Sequence, residues 1–92
     1  TESYWRERIT TARQQRDRNS VYMEALQSRI NALWVDFTAR DDPAQRAVIA
    51  AERQRALDEL DRLKQEQANL EKQITDIEED ARKSGIPPGW IR

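Results

Sequence analysis

The side chains able to do chemistry in this sequence are carboxylates and guanidinium groups. The densest acidic run is Asp76, Glu78, Glu79 and Asp80 within "DIEED", and neighbouring carboxylates are the usual material of cation sites and of acid/base pairs. A calcium loop needs a turn glycine, however, and an acid/base pair needs a pocket. A helix spreads these carboxylates around its circumference, so the run reads as a solvated face. "DDP", Asp41 to Pro43, invites the same thought but has the composition of a helix cap. The chain has no Cys and no His, which removes disulfides, thiolate chemistry, imidazole bases and the usual zinc sites. It also lacks a glycine-rich phosphate loop, a nucleophile elbow and a dinucleotide fingerprint. The expectation is therefore no catalytic residue, no cofactor, no metal and no enzyme.

The basic counterpart is Arg6, Arg8, Arg13, Arg16 and Arg18 beside Tyr4 and Trp5, a combination that can hold phosphates and stack bases. Against nucleic acid stands the balance of 16 basic and 17 acidic residues, which leaves no global field to steer the chain to a polyanion. A nucleic-acid-binding arm is thus the alternative reading, not the leading one. Peripheral membrane association through the aromatic ends, Tyr4, Trp5 and Trp90, is another alternative. The longest apolar run is only Ala47 to Ala51, far short of the roughly 20 residues that span a bilayer.

The elements that position these groups follow from where glycine and proline are missing. Neither occurs from Tyr4 to Arg40 or from Ala44 to Ser84. The chain therefore reads as one hairpin domain over residues 1–92: a first helix at about 3–40, a loop at 41–42, a second helix at about 43–84 and a tail at 85–92. At about 1.5 Å per residue, each helix would run roughly 60 Å. Asp42 suits a cap, Pro43 the first helical position, and Gln45 a capping-box variant. Gly85 sits where a left-handed cap belongs, and the prolines after it forbid continuation.

Spacing then defines a seam. Trp5, Ile9, Ala12, Arg16, Asn19, Met23, Leu26, Ile30, Leu33 and Phe37 alternate steps of four and three. So do Ile49, Arg53, Ala56, Leu60, Leu63, Gln67, Leu70, Ile74, Ile77 and Ala81. Both series are the a/d pattern of a coiled coil. The short loop forces antiparallel packing, with a facing d, and leaves one register in which paired residue numbers add to 86. It sets Phe37 by Ile49, Ile30 by Ala56, Met23 by Leu63, Ile9 by Ile77 and Trp5 by Ala81. Asn19 falls opposite Gln67, a shared polar layer in which each can satisfy the other.

Along the flanks the register sets Arg6 by Glu78, Arg13 by Glu71, Arg8 by Asp80 and Arg29 by Glu59. Asp36 against Glu52 is a like-charge exception that Arg53 can relieve. Such exposed pairs select orientation more than they stabilise. Arg16 and Arg53, at seam positions, read as long stems covering the core while their heads reach water, the alternative being handles for a partner.

Burial along a two-helix seam falls short of the entropy of ordering the backbone, so further apolar contact is expected. Trp34, Ala50 and Leu57 occupy flanking e positions near the loop and Tyr22 lies on the opposite flank. These four are the candidate self-association residues, and with them the chain reads as a homo-oligomer, a dimer of hairpins forming an antiparallel four-helix bundle. At the other end "SGIPPGWIR" delivers Ile86, Trp90 and Ile91 towards Tyr4 and Trp5. Trp5 opposite Ala81 leaves room there, and the prolines reduce the entropy lost on folding the tail back. The tail is expected to act as a lid rather than a docking peptide.

Taken together, "YWRERI", the stretch "EALQSRINALWVDFTARDDPAQRAVIAAERQRALDELDRLK" and "ARKSGIPPGWIR" resemble the C-terminal helical region of a group of uncharacterised bacterial proteins. "RDDPAQRA" and "PPGW" are the most specific parts of the resemblance, which covers nearly the whole chain. Those proteins generally carry an export signal and finish on a similar tail, so the resemblance implies an exported, periplasmic location. It brings no activity and no site residues. The absence of cysteine fits periplasm and cytoplasm alike, and a first residue of Thr1 fits a processed product or a piece of a longer chain. The function expected is a non-catalytic coiled-coil structural and protein-interaction module.

Overall fold

The computed structural model describes all residues 1–92. Helix α1 spans Glu2–Ala39 and helix α2 spans Pro43–Lys83, followed by a single 3-10 turn at Pro88–Ile91. There is no strand, and the all-α hairpin with a folded-back tail is the architecture expected.

Local chemistry sets the helix ends. The Thr1 hydroxyl accepts the Tyr4 amide at 3.2 Å, which starts α1 one residue earlier than periodicity suggests and satisfies one of its orphan N–H groups. At α2 the Asp42 carboxylate accepts the Ala44 amide at 3.0 Å, and its carbonyl accepts the Arg46 amide at 3.0 Å. Asp42 caps without the reciprocal bond anticipated from Gln45, whose side chain stays exposed. The end of α2 is a complete Schellman motif. Ile86 N–H donates to the Ala81 carbonyl at 3.3 Å and Gly85 N–H to that of Arg82 at 3.1 Å. Gly85 takes φ +67°, the left-handed conformation that costs a residue with Cβ about 1–2 kcal/mol.

The chain packs as two compact units. One comprises Thr1–Asn19 with Glu66–Arg92, the other Ser20–Gln65. In the terminal unit Trp5, Ile9 and Ala12 of α1 meet Ile74, Ile77 and Ala81 of α2 in one buried cluster. These are three consecutive layers of the expected register, and Asn19 with Gln67 adds a fourth through a hydrogen bond of 2.7 Å. In the loop unit Ile30, Ala56 and Leu60 form the buried cluster, with Met23, Leu26 and Leu57 packed against it. Every buried residue is a seam position, and no seam position is fully exposed.

Candidate functional site

Two places gather side chains beyond what the seam requires: the tail of the terminal unit and the loop end of the loop unit.

At the tail, Ile86, Trp90 and Ile91 pack against the cluster that contains Trp5, which is only 9% exposed. Ile86 supplies the apolar contact that accompanies a Schellman cap, since Ala81, its bonded partner, belongs to the same cluster. Pro87 holds an extended backbone at φ −60° and ψ 133°, and the Trp90 amide then closes the 3-10 turn on the Pro87 carbonyl at 3.0 Å. Two arginines of α1 grip this turn from the side. Arg13 Nη2 donates to the Ile91 carbonyl at 2.7 Å and Arg6 Nη2 to the Gly89 carbonyl at 3.4 Å. Tyr4 stands outside the cluster, largely exposed, with its ring edge-on to Trp5 at 5.4 Å.

These contacts revise the flank pairs. Arg8 does meet Asp80, at 2.8 Å, and that hydrogen bond raises the Arg8 guanidinium pKa further above its ordinary value. Arg6 pairs instead with Glu2, four residues back, at 2.6 Å, and Arg13 turns to the tail carbonyl rather than to Glu71. Backbone acceptors delivered by the tail are invisible to a heptad reading, which pairs charges only across the seam. In the loop unit Arg29 reaches Glu52 at 3.6 Å rather than Glu59, and Glu59 pairs with Arg62, one turn on, at 2.6 Å. Arg29, not Arg53, therefore neutralises Glu52.

At the loop end the aromatic residues form a stack. Trp34 and Phe37 lie nearly parallel, 5.7 Å apart at 17°. The Arg53 guanidinium covers Trp34 at 5.4 Å and that of Arg46 covers Phe37 at 4.2 Å. Arg53 also donates through Nε to the Ile30 carbonyl at 3.4 Å, so its stem crosses the seam and its head ends on an aromatic face. Arg46 Nε is buried without a hydrogen-bond partner, and the Phe37 ring against its guanidinium is what the site offers in place of one.

Trp34 nonetheless remains 52% exposed. It lines a shallow pocket with Phe37, Ala50, Arg53 and Gln54. Ala50 is exposed and Leu57 partly buried. Tyr22, at the heptad position of the opposite flank, is exposed and does not line this pocket. Val35 and Val48 are also exposed in this unit, as is Val21. They fall at heptad positions remote from the seam, where the a/d count does not look.

No family model, curated protein or solved structure matches the chain. The chemistry of the site therefore rests on these contacts. No group of three or more His, Cys, Asp or Glu is placed to hold a metal ion, and no helix is long and apolar enough to cross a membrane. Of the N-terminal arginines proposed for phosphate, Arg6, Arg8, Arg13 and Arg16 all have partners within the chain, Arg16 bonding Asp17 at 3.1 Å.

Proposed function

We propose that the chain is a non-catalytic protein-interaction module, a coiled-coil hairpin that pairs with a second copy into an antiparallel four-helix bundle. The observation that carries this reading is Trp34, half-exposed on a flank that also holds exposed Ala50 and the partly covered Leu57. The apolar a and d positions are buried or partly buried in the seam, whereas Trp34 and Ala50 stay exposed beside it, with Leu57 partly covered against the Ile30 cluster. An aromatic held rigid by stacking loses little freedom on association, which suits it as an anchor. Tyr22 lies on the other flank and is left free in this dimer.

The reading extends to a role within a larger envelope protein in the periplasm, on the strength of the resemblance of "RDDPAQRA" and "PPGW". Fractionation of cells expressing the natural gene tests that location, and recovery in the cytosol alone refutes it.

Light scattering at micromolar concentration tests the association. A dimer mass is expected, and Trp34→Ser with Leu57→Ser should return a monomer that keeps most of its helical circular dichroism. A wild-type chain that is strictly monomeric and fully helical overturns the proposal.

A further inference from the structure

Arg13 and Arg6 have two sets of acceptors within the terminal unit. With the tail docked, Arg13 bonds the Ile91 carbonyl at 2.7 Å and Arg6 the Gly89 carbonyl at 3.4 Å. The register sets Glu71 and Glu78 across the seam from the same two arginines. On the other flank the corresponding pair, Arg8 and Asp80, closes at 2.8 Å, so a side-chain bridge across this seam is within reach. While the tail is docked neither Glu71 nor Glu78 forms an ion pair, although both are exposed on that flank.

We propose that the tail is a releasable latch, in which Glu71, seconded by Glu78, competes with the tail carbonyls for Arg13 and Arg6. The division of the tail supports a discrete release. Its base is fixed by the two Schellman hydrogen bonds of Gly85 and Ile86. Beyond it the extended Pro87 begins a short segment whose apolar side chains, Trp90 and Ile91, are only partly buried. Gly89 has nothing within 4 Å of where a Cβ would stand, so the segment is not wedged in place. Arg13, itself part-buried, makes the shorter of the two grips, whereas Arg6 is already tied to Glu2. The choice of Arg13 between Ile91 and Glu71 is thus the pivot of the device. Release moves its charge from a carbonyl to a carboxylate and leaves no cation stranded. It also uncovers the Trp5 cluster, so the latch controls access to an apolar surface.

The test is the open population of the tail, read by amide hydrogen exchange at Trp90 and by relaxation dispersion of its indole resonance in the full chain. Removing the competitor with Glu71→Gln should lower that population about twofold to fivefold, the weight of an exposed ion pair. Arg13→Gln should raise it, and in the Arg13→Gln background the Glu71→Gln effect should vanish. Glu24→Gln, in the other unit, controls for net charge and should change nothing. An open population unchanged or raised by Glu71→Gln overturns the latch, as does a Glu71→Gln effect that persists without Arg13. Glu71→Gln alters only an exposed side chain, so it decides the matter even if Arg13→Gln fails to fold.

Discussion

Asn19 donates through Nδ2 to Oε1 of Gln67 at 2.7 Å, and it is the only polar side chain among the buried residues, at 5% exposure. A hydrogen-bonded polar layer fixes register at some cost in stability, because only the matching alignment satisfies both amides. Asn19→Ala removes this bond from a partly buried Gln67 and should destabilise the chain by about 1 kcal/mol. The double variant Asn19→Leu with Gln67→Leu should instead be at least as stable as the parent, with weaker control of alignment. Urea unfolding measures the first effect, and disulfide trapping of cysteines introduced at Met23 and Leu63 or one layer away measures the second. A double variant less stable than Asn19→Ala contradicts this account of the layer.

Gly85 and Gly89 separate backbone need from space. Neither has an atom within 4 Å of a built Cβ, yet only Gly85 has positive φ, at +67°. Gly85→Ala should therefore lose about 1–2 kcal/mol from conformation alone, and Gly85→Asn less, since Asn tolerates this region. Gly89→Ala should be close to neutral. Chemical denaturation of the three variants checks the ranking, and equal losses at the two glycines would contradict it.

The seam was legible because its period repeats without interruption and because one short loop admits a single register. Trp5 with Ala81, Ile9 with Ile77 and Ile30 with Ala56 each come together as spacing demands. The partners of individual arginines were not legible in the same way. A long guanidinium chooses among acceptors within several ångströms, and Arg6, Arg13 and Arg29 all had a nearer one than the register suggested: Glu2, the Ile91 carbonyl and Glu52. The signal that was present is the tail itself, which ends beside Arg6 and Arg13 with backbone carbonyls as its acceptors. Trp34 illustrates a second limit. Its position predicted exposure, but not its stacking on Phe37 under Arg53, since three-way contacts of that kind depend on rotamers rather than heptad letters.

Deletion of Gly89 to Arg92 should lower the melting temperature and expose Trp5. The loss comprises the Arg13 and Arg6 hydrogen bonds to the tail carbonyls and the partial burial of Trp90 and Ile91, together on the order of 1–3 kcal/mol. At roughly 4–8 °C per kcal/mol for a domain of this size, a drop well outside measurement error follows. Calorimetry gives the shift, and acrylamide quenching of the deletion variant in a Trp34→Phe background reads Trp5 alone, against a full-length reference carrying Trp34→Phe and Trp90→Phe. An unchanged melting temperature with Trp5 still shielded would mean that the tail adds nothing to this fold and serves a partner instead.

Acid should weaken the helices through two short-range pairs. Glu59 accepts from Arg62 and Glu79 from Arg82, each three residues along α2, and these hydrogen bonds hold both carboxyl groups below the ordinary Glu pKa. A carboxylate depressed in the folded state contributes stability that is complete above its unfolded pKa, about 4.3, and is lost as pH falls through the lower folded value. Thermal stability should therefore hold from neutrality down to that range and then decline. Because both pairs are open to solvent, the decline they cause should be modest and should shrink in concentrated salt. Glu59→Gln with Glu79→Gln removes both titrations at once, so its melting temperature should be slightly lower at neutral pH and fall less steeply towards pH 3. Parallel acid limbs for parent and double variant would assign the acid sensitivity elsewhere.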